Sequence, residues 1–322
     1  MSLMDKLRKN SKIKESDTLA DSAFFNTKDI IPTDVPMMNV ALSGDVDGGL
    51  TSGLTVLAGP SKHFKTSFAL KMAAAYLRKY DDAVMLFYDS EFGSPQSYFE
   101  SFGIDINRVL HTPIKDVEEL KFDLVGQLDN LARDEKVIVV IDSIGNLASK
   151  KELEDALNEK SVADMSRAKA LKGLFRMTTP YLTMKNIPLL AINHTYKEIG
   201  LFPKDVVSGG TGIYYSADNI WIVGRRQNKL SSGEIEGYDF VINVEKSRFV
   251  REKSKIPIKV TFDDQSTGEM GQKVRMKATQ EESFWEPIFA NSDFKEFIKK
   301  QYQFGVGGVT TIDMEEIANG EL

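Results

Sequence analysis

The sequence predicts an α/β fold around a central, mostly parallel sheet, and three observations carry that prediction. Leu54–Ala58, Val137–Asp142 and Pro188–Asn193 are short apolar runs of the kind that form strands buried on both faces. Between them lie longer stretches with helical spacing of apolar residues. The first run leads directly into Gly59-Pro60-Ser61-Lys62-His63-Phe64-Lys65-Thr66-Ser67, followed by a helical face of Phe68, Met72, Ala75 and Tyr76.

Strand, tight loop ending in Lys-Thr, then helix is the context in which such a loop holds phosphate. Its backbone N–H groups and the positive helix end would face the anion. Lys65 would bridge β- and γ-phosphates, and the Thr66 hydroxyl would coordinate Mg²⁺. The general motif has glycine where this chain has Phe64. That residue must adopt a conformation usual for glycine, and its ring must find cover nearby. The plainer alternative is an ordinary strand-to-helix turn.

Composition narrows the field. The 322 residues suffice for one α/β core of about two hundred residues with small appendages. There are no cysteines, which excludes disulfides, thiolate metal sites and cysteine nucleophiles and fits an intracellular, cytoplasmic home. Three scattered histidines argue against a zinc site. No apolar run approaches the roughly 18 residues of a membrane span, so no membrane partner is expected. The net charge of −6 argues globally against nucleic acid, although a few clustered cations suffice for phosphate contacts.

Taken in order, residues 1–20 are polar, with alternating charge, and read as a solvated or disordered start. Phe24-Phe25 would anchor either into a neighbouring subunit or onto its own domain. Pro32, Pro36 and the glycines of Ser43–Leu50 make a turn-rich entry to the core. Ala83–Asp89 is a further buried strand ending in Asp89-Ser90-Glu91, and a carboxylate there would orient an attacking water. A short helix over Pro95–Phe102 carries Tyr98, suited either to stacking on a base or to core packing. Val109–Thr112 and an amphipathic helix over Asp116–Arg133 follow. Asp142, ending the next strand, would hold Mg²⁺ through water, or would simply cap the turn.

The charged stretch 149–161 leads into a helix with Ala168, Leu171, Leu174, Phe175 and Thr178 at helical spacing. His194 ends the strand Pro188–Asn193, and the Gly-rich span Thr195–Gly212 reads as a long, mobile functional loop. Ala217–Arg226 and Tyr238–Val244 are strands. A basic cluster of Lys246, Arg248, Arg251, Lys253, Lys255 and Lys259 is either solvated surface or a seat for DNA or a neighbour's phosphate. Residues 263–280 read as a linker, and 281–305 as a small helical piece around Phe284-Trp285, Phe294, Phe297 and Ile298.

The ordered set GPSKHFKT, YDSEFG, VIVVIDS, LLAINH, SGGTGIYYSAD and EKSR resembles the RecA family of homologous-recombination ATPases. The Phe-substituted loop, MMNVALSG, IDSIGNLASKKELEDALNEK and AINHTY are most similar to its T-even-type phage branch. The likeness covers about residues 20–262, and 281–320 more loosely. That branch carries more residues between Val260-Thr261-Phe262 and Thr267-Gly268-Glu269, and an acidic tail; here both are short or missing.

The resemblance implies a RecA-like P-loop ATPase core over 37–262. It also implies an N-terminal polymerisation segment over 1–36, and a linker with a small α-helical C-terminal subdomain over 263–322. ATP and Mg²⁺ would sit on Gly59–Ser67, with Lys65 and Thr66 at the phosphates and metal and Asp142 the second acidic strand end. Glu91 would be the catalytic carboxylate, Tyr98 the adenine stack and His194 the γ-phosphate sensor. Lys246 and Arg248 would reach the ATP of the neighbouring subunit. Ala156–Ala163 and Thr195–Thr211 would be the two DNA-binding loops.

The implied activity is DNA-stimulated ATP hydrolysis in helical filaments on single-stranded DNA, pairing and exchanging strands with double-stranded DNA. Recombination, repair and replication would be its setting, with phage single-strand-binding and mediator proteins as partners in the host cytoplasm. Two rivals stand beside it: a hexameric helicase on the same fold, and an ATP-binding mediator with little turnover.

Overall fold

The computed structural model describes residues 2–13, 15–22, 29–158, 166–198, 203–231, 233, 235–262, 274–276 and 289–303, except for 230. Phe24-Phe25, Phe284-Trp285, residues 159–163 of the first expected DNA loop and 199–202 of the second lie outside the described residues.

One sheet organises the chain. Strands β1 (Gly53–Ala58), β2 (Val84–Asp89), β3 (Val109–Pro113), β4 (Val137–Asp142), β5 (Pro188–Asn193) and β8 (Asn219–Lys229) run parallel. Strands β9 (Ile235–Ser247), β10 (Lys255–Phe262) and β11 (Val274–Met276) extend the sheet antiparallel. The spatial order is β11-β10-β9-β8-β1-β5-β4-β2-β3. A separate two-stranded sheet pairs β6 (Thr195–Lys197) with β7 (Asp205–Val207). Every residue of β1, β4 and β5 is buried, which is why these strands read as unbroken apolar runs.

Two apolar layers cover the two faces. On one, α3 (Lys65–Lys79) packs Phe68, Met72 and Tyr76 against Val140, Ile192 and Phe240. On the other, α5 (Val117–Asn130) and α7 (Ser166–Met184) pack Leu120, Leu124, Leu171 and Phe175 against Val139 and Leu189. The first three helices in chain order are α1 (Leu3–Asn10), α2 (Pro36–Ser43) and α3; α4 (Gln96–Ser101) precedes β3. Further helices are α6 (Lys150–Leu157), α8 (Thr211–Ser216) and α9 (Ser292–Tyr302), and Ile106–Arg108 forms a single 3-10 turn before β3.

Four expectations are corrected in detail. The disordered alternative for the start gives way to α1, which is solvent-exposed throughout and opened by a capping box between Ser2 and Asp5. The helix expected to reach Arg133 stops at Asn130, whose side chain turns back to the Gly126 carbonyl. The span after His194 is not loop alone: β6 and β7 form its stem and α8 its exit. Val274–Met276, expected within a linker, adds the edge strand β11 beside β10.

Parallel strands all deliver their C-terminal ends to one edge of the sheet, where Ala58, Asp89, Asp142, Asn193 and the turns after them meet. A crevice at that edge is where open α/β sheets place ligands.

Candidate functional site

At that edge the loop between β1 and α3 is shaped by Phe64, whose φ of 56° and ψ of 23° are left-handed. A non-glycine residue there costs about 1–3 kcal/mol. The ring finds the cover that the sequence required, with its centroid 5.0 Å from Phe240 and 5.9 Å from Tyr238. Phe240 is itself packed edge-on against Phe68 of α3. Gly59 has the φ, 154°, that lets β1 turn into the loop, beside the Val223 carbonyl.

Lys65 opens α3 and is buried, with Nζ donating to the Pro60 carbonyl at 2.8 Å. Burial lowers its pKa, with Glu91 and Asp142 pulling the other way. Thr66 Oγ1 donates to Asp142 Oδ2 at 2.7 Å and so closes the loop onto the end of β4. Asp142 Oδ1 is buried without a partner. Burial, reinforced by the charges of Glu91 and Asp89, pushes the Asp142 carboxyl up to about 6. An orphaned, buried carboxylate oxygen beside a threonine hydroxyl is the donor set a hard cation takes, so the residues fit Mg²⁺. Among the described residues no group of three or more His, Asp or Glu forms a cage of its own, so substrate oxygens and water would complete the shell.

Glu91 lies across the crevice. Its Oε1 accepts from Ser143 Oγ at 2.6 Å and from Asn146 Nδ2 at 3.0 Å, and lies 3.2 Å from His194 Nε2. The bond with His194 first, then that with Ser143 and the charge of Lys65, outweigh burial and hold the carboxyl below its usual range. Gly145 makes this cluster possible, because a Cβ there would collide with the His194 ring. The backbone N–H of His194 donates to Asn193 Oδ1, and Asn193 Nδ2 donates to the Ser208 carbonyl at the foot of β7. Ser208 N–H returns to the His194 carbonyl. His194 thus touches the acidic cluster through its ring and the second loop's stem through its backbone.

The loop residues from Ser61 to Ser67, Glu91, Tyr98, Asp142 and His194 line one cavity of about 520 Å³. Tyr98 is half-buried, its hydroxyl bonded to Ser67 Oγ and its ring edge-on to Phe102. Lys246 and Arg248 are not in this lining. Lys246 Nζ donates to the Tyr214 carbonyl in α8, and Arg248 pairs with Asp218, which also accepts from the Leu54 N–H of β1. Burial and the neighbouring Arg248 lower the Lys246 pKa.

Sequence reasoning missed Ser143, Asn146 and Arg225. Arg225 Nη1 donates to the Lys62 carbonyl at 2.8 Å, its guanidinium 4.9 Å from the Tyr238 ring, so it roofs the loop from β8. The arginine pair Arg225-Arg226 was the available signal, since the guanidinium fork suits phosphate recognition. His63, read only as a loop position, turns Nδ1 to the Ser61 carbonyl, and burial lowers its pKa.

Comparison with known proteins follows the same lines. A family model described as the RecA N-terminal domain matches residues 17–267. The chain is 48% identical to the "Recombination and repair protein" of Enterobacteria phage T4, over 99% of this chain and 89% of that one. That alignment runs over 355 residues, more than the 322 present here, so the phage protein carries residues this chain lacks. Similarity to Protein RecA of Arthrobacter sp. (strain FB24) is 27% over 73% of this chain, and to that of Aquifex pyrophilus 25% over 62%. The chain spans 64% and 57% of those two bacterial proteins.

Proposed function

Since the chain belongs to the RecA family, we propose that it is a recombinase acting in recombination and repair, driven by ATP hydrolysis on single-stranded DNA. The observation that carries this reading is the closure of Thr66 onto Asp142 on one wall of a cavity whose other wall presents Glu91. Among the described residues no helix is long and apolar enough to cross a membrane.

In this reading the Gly59–Ser67 loop and Lys65 hold the β- and γ-phosphates, and Lys65 trades the Pro60 carbonyl for phosphate oxygen. Thr66 and Asp142 would hold Mg²⁺, which would supply charge neutralisation at the transferred phosphoryl group. Glu91, kept ionised by His194 and Ser143 and held in place by Asn146, orients the attacking water. Tyr98 offers a face to adenine. His194 lies between Glu91 and the stem of the second loop, so the 195–211 loop and the carboxylate share one hinge. DNA on that loop would shift His194 and, with it, the water-orienting carboxylate. Lys246 and Arg248 leave Tyr214 and Asp218 to reach the ATP of the adjoining subunit, so turnover requires a filament. Loops 156–163 and 195–211 line the DNA path.

The test is negative-stain microscopy with ATP and single-stranded DNA, alongside ATPase rates with and without DNA. Helical filaments and DNA-stimulated hydrolysis are expected in the parent. Lys65→Ala should lose hydrolysis at least about a hundredfold. Closed rings would move the protein to the helicase class, and hydrolysis at the parental rate by Lys65→Ala would refute the site.

A further inference from the structure

Outside the phosphate cavity, the edge strand β3 carries a histidine that the reaction described above does not use. His111 Nε2 lies 3.2 Å from Asp89 Oδ2. Asp89 ends β2 and is buried, whereas the His111 side chain is half exposed. The other oxygen of Asp89, Oδ1, accepts the backbone N–H groups of Glu91 at 2.9 Å and Phe92 at 2.8 Å. Phe92 has a left-handed φ of 54°, so this turn holds a strained residue in place. Its two successive N–H groups hang on one carboxylate oxygen.

The histidine ring is held as carefully as the carboxylate. It stacks on Phe87 with centroids 5.7 Å apart and planes at 25°. Phe87 is fixed in turn by Phe99 of α4, 5.0 Å away and edge-on. Beyond the ring opens a second cavity of about 470 Å³, lined among others by Phe87, Phe99, Ile106 and Val109. A carboxylate only accepts, so the contact requires a proton on Nε2. The chain of contacts from His111 through Asp89 to the Glu91 backbone is therefore continuous and directional.

We propose that His111 is a positioning residue for Glu91: by donating to Asp89 it fixes the turn that aims the Glu91 carboxylate at the attacking water. The proposal rests on the role given to Glu91 above, but its geometric half does not. A buried carboxylate deprived of one partner reorients toward solvent or other donors, and the two N–H groups it anchors loosen with it. Nucleotide affinity is left alone, because His111 and Asp89 are not among the residues lining the phosphate cavity.

Three variants of the full chain separate the possibilities. His111→Phe keeps the stack on Phe87 and removes the donor. His111→Gln retains an amide donor, and Glu91→Gln is the reference for loss of the carboxylate. Loss of one hydrogen bond to a charged group predicts a kcat about tenfold lower in His111→Phe, with unchanged affinity for a fluorescent ATP analogue and recovery in His111→Gln. Hydrogen exchange followed by NMR should speed up at the Glu91 and Phe92 amides in His111→Phe and return toward the parent in His111→Gln. Parental kcat and exchange in His111→Phe overturn the proposal, as does a fall in nucleotide affinity parallel to kcat. If Glu91→Gln hydrolyses ATP like the parent while exchange still responds to His111, the reading of Glu91 fails and the positioning geometry survives.

Discussion

Asp89 and Asp142 are register partners at the ends of two adjacent parallel strands, equally buried, yet they are built for opposite tasks. Asp89 has both oxygens occupied, one by two backbone N–H groups and one by His111. Asp142 has one oxygen on Thr66 and one with no partner, and its carboxyl is pushed up to about 6. Burial is common to both and so decides nothing. In the proposed reading, what separates scaffold from ligand is unmet demand: the satisfied acid holds the chain, and the unsatisfied one would take a cation.

The sharpest way to break this comparison is to neutralise each acid. Asp142→Asn should lower hydrolysis about a hundredfold to a thousandfold, because a neutral amide no longer balances the metal charge. Asp89→Asn still offers an oxygen to the Glu91 and Phe92 N–H groups and should lose less than about tenfold. Equal losses in steady-state ATPase assays would erase the distinction.

Stability should separate them in the other direction. Asp89→Ala strands two backbone N–H groups and His111, an expected loss of about 2–4 kcal/mol by urea unfolding. An Asp89→Ala protein as stable as the parent would show that the turn after β2 is held by something else.

How much of this was legible in the sequence follows the same division. The loop Gly59–Thr66 and the strand ends at Asp142 and Asn193 could be read because each is a local pattern: an apolar run and then a polar residue at its end. The requirement that Phe64 find cover was legible too, but not which rings would supply it. Phe240 and Tyr238 lie on β9, which reaches the loop only through β8. Ser143, Asn146 and Arg225 were missed for the same reason, since their partners Glu91 and Lys62 are remote in the chain. Asp89 stood beside Glu91 in one acidic motif; the resemblance assigned a role to Glu91 alone, and the partner of Asp89 emerges only from the β2–β3 pairing, which sets Phe87 opposite His111. The stem β6–β7 was hidden because three-residue strands carry too little alternation to be seen.

A smaller effect tests the unmet demand of Asp142 directly. Its folded carboxyl titrates near 6 against 3.8 for the free group, so the folded protein holds a proton that the unfolded chain has lost. Below pH 3.8 the group adds no cost. As pH rises through the window from about 4 to about 6, stability falls, and above it the full cost, on the order of 2–3 kcal/mol, is in place. Asp142→Asn removes that cost but buries an unpaired amide N–H₂, so the nucleotide-free variant should gain about 1 kcal/mol near neutral pH. Thermal unfolding of parent and variant from pH 4 to 8 should show curves diverging across that window. Parallel curves would mean that Asp142 is not strained by burial.

The finest distinction is between alanine and glycine at Phe64, where a conformational demand is met by packing. Its left-handed backbone is unfavourable for any side chain, while its ring rests against Phe240 and Tyr238. Phe64→Ala keeps the backbone cost and loses the ring, so it should destabilise by about 2–3 kcal/mol. Phe64→Gly loses the same ring but relieves the left-handed strain, at the expense of a floppier unfolded chain. The strain relieved, about 1–3 kcal/mol, exceeds the entropy cost of about 0.4–1 kcal/mol, so glycine should be less harmful than alanine by about 1 kcal/mol. The order matters more than the size. If alanine proved as stable as glycine in urea unfolding, the loop at Phe64 would not be left-handed in solution, and the ring would be the whole reason this chain tolerates phenylalanine where the general motif has glycine.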